Sequence, residues 1–140
     1  MKLKFIIAFI FIIESFAAMA EIDIKEGKWE ITSQMEMKGP VKVAIPPQKI
    51  DQCFTKENMT PDRMLNNKYC EMLDMDIGAK TISWQMRCKQ AGMQMEGQGK
   101  LAYNKTTFNG LFTMMMRGSK QGDMNINTKL NGHYVGPCKK

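Results

Sequence analysis

Methionine is the residue type whose number and spacing point most directly to chemistry in this sequence. The chain contains 15 methionines, and Met93 with Met95 and Met114 with Met116 are each separated by one residue. In a strand such pairs share a face, and paired thioethers could bind Cu(I), a soft ion. The alternative is that methionine fills an adaptable core or lines an accommodating apolar cavity. Because no histidine or free cysteine accompanies the pairs, we predict the apolar role and no metal site.

Four cysteines, Cys53, Cys70, Cys88 and Cys138, form a second set with defined chemistry. In a short exported chain an even number of cysteines is typical of a disulfide framework, and no Cys-x-x-Cys pair indicates a zinc knuckle or a redox motif. A hairpin centred on Ala79 would place Cys70 opposite Cys88, with Cα atoms about 4.5–5.5 Å apart, which is within disulfide range. Of the three possible connectivities, geometry therefore favours Cys70–Cys88 with Cys53–Cys138.

The sequence contains no constellation of residues typical of an enzyme. His133 is the only histidine and has no acidic neighbour in sequence, which favours a surface or hydrogen-bonded role over that of a base or a ligand. Asp74 and Asp76 would share a strand face and could hold a hard cation, but beside a tight hairpin they are expected to face solvent. We predict a non-enzymatic protein with no catalytic residue and no cofactor.

The first residues predict export. Two lysines precede an unbroken apolar run over residues 5–13, and Ala18-Met19-Ala20 supplies the small residues that a signal peptidase recognises. The run is too short for a spanning helix, which needs about 20 residues. We predict a signal peptide over residues 1–20 and one domain over residues 21–140, with no membrane span after cleavage.

The positive charge of the chain is modest and dispersed. The formal net charge is +6, and the lysines are scattered along the sequence, which favours a solubility role over a binding patch. No basic stripe alternates with aromatic residues, so we predict no nucleic-acid partner.

Alternation of apolar and polar residues predicts an all-β protein with about seven strands. The predicted strands cover residues 27–37, 49–54, 70–77, 81–88, 93–103, 106–117 and 124–134. A loop containing Pro46-Pro47 is expected before the second strand, and one or two short helical turns within residues 55–66. Short polar connections between successive strands predict an antiparallel meander that forms a curved sheet or a barrel-like domain.

One hairpin register contains a conflict. If Cys70 faces Cys88, Trp84 faces Asp74, and the apolar residues Leu73, Met75 and Ile77 point to the opposite side. A one-residue bulge between Cys70 and Leu73 would reconcile the two patterns. We therefore predict a bulge early in this strand.

The order of several motifs along the chain resembles that of a known family. They are the Gly-Lys-Trp-Glu-Ile-Thr start at residues 27–32, the Pro-Pro pair before Cys53, Cys70, the strand from Trp84 to Cys88, and Gly136-Pro137-Cys138. This order is similar to that of the DUF3617 family, small exported bacterial proteins known only as a domain of unknown function. The resemblance implies a periplasmic or secreted, disulfide-containing domain and brings no activity, ligand or active site with it.

The leading hypothesis is an exported binding protein whose apolar interior accepts a small hydrophobic or lipidic molecule. The candidate ligand contacts are Trp29, Trp84, Met93, Met95, Met114 and Met116. Two alternatives remain open, a methionine-based Cu(I)-binding protein and a structural or interaction protein that contacts a component of the cell envelope.

Overall fold

A computed structural model of the protein describes residues 22–40, 42–64 and 68–139. The predicted signal peptide, residues 1–20, lies outside the described residues. Within those ranges the protein is all-β, as predicted, with seven antiparallel strands in one sheet and one short helix. The elements are β1 (Gly27–Lys38), β2 (Val43–Phe54), α1 (Pro61–Met64), β3 (Cys70–Ile77), β4 (Thr81–Gln90), β5 (Met93–Asn104), β6 (Thr107–Arg117) and β7 (Met124–Gly136).

The sheet is strongly curved and has two free edges. The strand order is β2-β1-β7-β6-β5-β4-β3, so β3 to β7 form a meander that continues through the pairing of β7 with β1. Residues of β2 and β4, which lie near opposite ends of this order, line the same cavity. The sheet therefore has a concave and a convex face, and edge strand β2 is followed by residues 55–64, which contain α1 and which we call the α1 connection.

Tight turns keep the meander in register. Gln90 at the end of β4 pairs with Met93 at the start of β5, which leaves only Ala91 and Gly92 in the turn. Both turn residues have positive φ angles, 49° and 79°. This mirror-image turn matches the right-handed twist of the two strands, and it is why a glycine is suited to the second position.

The hairpin of β3 and β4 contains a bulge, but it lies at Leu73 and not between Cys70 and Leu73 as predicted. The register shifts between Met72 and Asp74, and beyond the shift Met75 faces Trp84. The extra residue keeps Met72, Met75 and Ile77 on the concave face, so that Trp84 does not face Asp74. A bulge thus reconciles the cysteine pairing with the apolar pattern, but the expectation that Leu73 faces the core was wrong, because Leu73 is the bulged residue and is 43% exposed.

Both disulfides have the expected partners. Cys70 lies opposite Cys88 in the β3–β4 ladder, with 4.0 Å between the Cα atoms. Cys53 in β2 is joined to Cys138 with a Cα separation of 5.8 Å. The second bond fastens the tail that follows β7 to an edge strand, and it closes a loop across 85 positions of the chain.

The expected Pro46-Pro47 loop is instead part of strand β2. Its pairing with β1 shifts between Ser33 and Met35, where Pro46 and Pro47 together lie opposite the single residue Gln34. Proline lacks the backbone N–H that a central strand needs, but an edge strand or a bulge tolerates it. The expectation of a short strand was wrong because β2 is at the edge of the sheet.

The core contains two buried clusters on the concave face, and Met86 and Cys88 further along β4 are also buried. One contains Trp29, Ile31, Phe54 and Met59, and the other contains Ile82, Trp84 and Tyr103. Ile22, Ile24 and Phe108 pack against both clusters. The segment before β1 thus folds across the sheet and joins its two halves.

Candidate functional site

A cavity of about 440 Å³ lies between the concave face and the α1 connection. Its apolar lining comes from six strands, the segment before β1 and the α1 connection, and consists of Ile24, Ile31, Ile50, Phe54, Met59, Ile82, Leu101, Tyr103, Phe108 and Leu130. Small-molecule sites in proteins typically have volumes of about 300–1,000 Å³ and mostly apolar walls. We call this part of the concave face, around Ile31, Phe54, Tyr103 and Phe108, the cavity end.

The α1 connection brings Met59 against the sheet. The Asn58 side-chain oxygen accepts a hydrogen bond from the Thr55 N–H at 2.8 Å, and the Asn58 N–H donates to the Thr55 carbonyl at 3.1 Å. Pro61 then begins the helix, where its fixed φ is favourable and its missing N–H costs nothing. This tight turn holds Met59, which is buried, in the first core cluster and at the cavity wall.

The rim of the cavity carries a positive charge. Arg63 of α1 contributes to the lining and is exposed to solvent. No carboxylate among the described residues forms an ion pair with it. Together with the amides of Gln52 and Asn58, Arg63 gives an otherwise apolar cavity a polar, cationic opening.

Trp29 supports the cavity wall from behind. It is fully buried, stacks on Phe108 with 5.5 Å between ring centroids, and packs at an angle against Phe54 at 6.2 Å. Its indole N–H donates to the Lys25 carbonyl at 3.0 Å. Because the rings immobilise one another, we expect the wall to keep its shape without a ligand.

Tyr103 contributes the one phenol of the lining. Its hydroxyl donates a hydrogen bond to the Gly78 carbonyl. Burial, and secondarily the Asp23 carboxylate, raises the pKa of Tyr103 above its usual value. The phenol therefore stays neutral near physiological pH and acts as a fixed donor between β5 and the β3–β4 turn.

The sequence model of a family described as "Protein of unknown function (DUF3617)" matches residues 24–138. The chain belongs to the DUF3617 family. The match covers all seven strands and every residue that lines the cavity. Comparisons with curated proteins and with solved structures gave no significant match. The DUF3617 description names no activity or ligand, so it assigns no role to the cavity.

The other half of the concave face in this DUF3617 member carries methionines. Met95 on β5 lies opposite Met116 on β6, which in turn lies opposite Met124 on β7. Met93 and Met114 lie two residues from Met95 and Met116 on the same strands and therefore on the same face. All five side chains are partly buried. We call this group, Met93, Met95, Met114, Met116 and Met124, the methionine end.

None of the six predicted ligand contacts is among the described residues that line the cavity. Trp29 lies behind the wall. Trp84 lies between the two ends, stacked on Phe112 at 6.0 Å. The four methionines belong to the methionine end. A ligand contact by any of these six residues stays a prediction.

The sequence did not predict four residues of the cavity lining: Ile50, Gln52, Met59 and Arg63. Ile50 and Gln52 belonged to a predicted strand, and their alternation with Phe54 was the available signal. Arg63 and Met59 gave no such signal. They reach the cavity only because the α1 connection packs against the concave face.

His133 and the paired aspartates lie away from the cavity lining. His133 faces Glu30 across the β1–β7 ladder, with 3.9 Å between Nε2 and Oε1, and it is exposed. The same Glu30 oxygen lies 3.1 Å from Lys49 Nζ. Asp74 and Asp76 are exposed on β3. Within the described ranges, no three His, Cys, Asp or Glu side chains lie close enough to hold a metal ion.

No helix in the described part of the chain has both the length and the apolar character needed to cross a membrane.

Proposed function

We propose that the protein is an exported, non-enzymatic binding protein whose cavity holds a small lipidic molecule, a single-chain amphiphile with an anionic head group. The observation that carries this proposal is the apolar cavity of about 440 Å³ with Arg63 at its rim.

The apolar walls of the cavity suit the alkyl chain of such a ligand, and the cationic opening suits its anionic head group. An alkyl chain gains about 0.8 kcal/mol for each methylene removed from water, and side chains of six strands provide the apolar surface that receives it. At the opening, the guanidinium of Arg63 can bind a carboxylate or phosphate through two parallel N–H donors. A neutral apolar molecule would form no ion pair with Arg63.

Export is supported by two independent features. Residues 1–20 have the three-part pattern of a signal peptide. In addition, all four cysteines form disulfides, and such bonds form in oxidising compartments and are rare in the cytosol. Together with the family resemblance, these features favour the periplasm or the extracellular space.

Two ligands with the same chain test the proposal directly. Dodecanoate and dodecanol would each be titrated against a fluorescent fatty-acid probe bound to the purified protein, and native mass spectrometry would show any ligand retained from the cell envelope. We expect the carboxylate to displace the probe at lower concentration than the alcohol, because only the carboxylate pairs with Arg63.

Three variants locate the binding site. Arg63→Gln should weaken dodecanoate binding about tenfold, the value of one charge-assisted hydrogen bond, and leave dodecanol unaffected. Ile50→Trp enlarges an edge-strand residue that lines the cavity and should weaken both ligands. Leu111→Trp is the matched control, because Leu111 lies outside the cavity lining and is 49% exposed, close to the 54% of Ile50.

A clean ligand-free mass together with no probe binding would overturn the proposal. Equal effects of Ile50→Trp and Leu111→Trp would also contradict it, since binding would then occur elsewhere. If Arg63→Gln affected both ligands equally, the cavity would stand as the site but the anionic head group would not.

A further inference from the structure

Three methionines of the methionine end form a row across neighbouring strands. Met95, Met116 and Met124 occupy directly paired positions on β5, β6 and β7. Paired residues of antiparallel strands point to the same side, with Cα atoms about 4.5–5.5 Å apart. Three flexible thioether side chains therefore project from one patch of the concave face. We call Met95, Met116 and Met124 the methionine row.

The two core clusters do not account for this row. Neither the cluster around Trp29 nor the one around Ile82 and Trp84 contains a residue of the row, as a buried member or as a partly buried neighbour. All three side chains are partly buried, so a small solute can still reach them.

The donor set selects a soft ion. Thioether sulfur is neutral and polarisable, and it favours Cu(I), whereas carboxylates favour hard cations and imidazole suits Zn²⁺ or Cu²⁺. The single histidine of the chain, His133, lies outside this row. All four cysteines are held in disulfides, so no thiolate competes for the ion.

We propose that Met95, Met116 and Met124 form a Cu(I)-binding site with three thioether ligands. Met124, which had no partner in the sequence pattern, completes the set because β7 pairs with β6. The site is separate from the cavity, since none of its three residues is part of the cavity lining. It does not depend on the lipid-binding proposal.

Met115 provides a matched control within the same strand. It is adjacent to Met116 but projects to the convex face, where it is 38% exposed and its sulfur accepts a hydrogen bond from Arg117 at 3.3 Å. Leucine replaces methionine with little change in volume, so such variants are expected to keep the fold. Met116→Leu and Met115→Leu therefore differ chiefly in which face loses its sulfur.

The test is an anaerobic titration of the full protein with Cu(I) against a weak chromogenic chelator. We expect the wild type to withdraw Cu(I) from the chelator and Met115→Leu to match it. Met116→Leu should bind about tenfold more weakly, and the combined Met95→Leu, Met116→Leu and Met124→Leu variant should not compete, because thioethers are the only donors of the site.

A second measurement uses the unaltered protein. With ¹³C-labelled methionine methyl groups, Ag(I), a redox-inert soft ion, should shift the signals of the methionine row and leave those of Met59 and Met115 in place. Equal Cu(I) affinity of the Met115 and Met116 variants would overturn the proposal. So would methyl shifts spread evenly over all methionines, or no competition with the chelator by the wild type.

Discussion

The cavity end and the methionine end lie on one face of one sheet, yet we expect them to differ in rigidity. At the cavity end, aromatic rings stack around Trp29, and Ile22, Ile24 and Met59 pack over them. At the methionine end, flexible thioethers are only partly buried. The same alternation of residues along each strand thus produces a preformed wall and an adaptable surface. The difference comes from side-chain stiffness and from what packs over each half.

One disulfide lies near each end, and removing them should affect the protein unequally. Cys53–Cys138 spans 85 positions and Cys70–Cys88 spans 18. In the chain-entropy model, their loss costs about 4–5 and about 3 kcal/mol of unfolding free energy. Urea unfolding of the two double Cys→Ala variants would measure both values. A larger loss for the Cys70–Cys88 pair would show that native packing outweighs chain entropy.

Two glycines of β5, at the boundary between the two ends, test how far neighbouring side chains can yield. A Cβ at Gly99 would overlap the Trp84 indole, which cannot yield, whereas a Cβ at Gly97 would lie 3.0 Å from Met86 Cγ and from Phe112 Cζ. We expect Gly99→Ala to cost about 1–3 kcal/mol and Gly97→Ala to stay within about 1 kcal/mol of the wild type. Chemical denaturation would compare them. Equal costs would mean that Met86 and Phe112 yield no more readily than the Trp84 indole.

Removing the Tyr103 hydroxyl at the cavity end is expected to cause a small loss of unfolding free energy that depends on pH. Tyr103→Phe should lose about 1 kcal/mol, the value of one hydrogen bond to the Gly78 carbonyl. Because folding raises the pKa of Tyr103 above 10.0, its stabilising contribution is complete below pH 10 and is lost as pH rises through the folded pKa.

Unfolding free energies of both proteins at neutral pH and above pH 10 would test this expectation. The wild type should lose its advantage over Tyr103→Phe in the alkaline range. An advantage that is the same at both pH values would argue against titration of the buried phenol.

Much of the fold follows from local pattern. Strict alternation around Trp29 and along β5 and β6 predicted those strands, and the spacing of Cys70 and Cys88 about a turn predicted their bond. A bulge in β3 was also expected, because the cysteine pairing and the apolar pattern agree only with an extra residue, but its position at Leu73 was not.

What the sequence left open depends on non-local placement. Pro46-Pro47 indicated a loop, because proline disrupts a central strand and nothing local shows that β2 lies at an edge. Arg63 could not be assigned to a site before the α1 connection was seen to pack on the concave face. Met124 joined Met95 and Met116 only through the register of three strands.

The free edges of the sheet have one further consequence. An unpaired edge strand can pair with a strand of another molecule and start fibril growth, and this sheet has two such edges. Strand β2 has no amide hydrogen to donate at Pro46 or Pro47. Strand β3 has a bulge at Leu73, and it carries the exposed carboxylates of Asp74 and Asp76. Both edge strands are thus poor templates for intermolecular pairing, which lets the curved sheet remain open without polymerising.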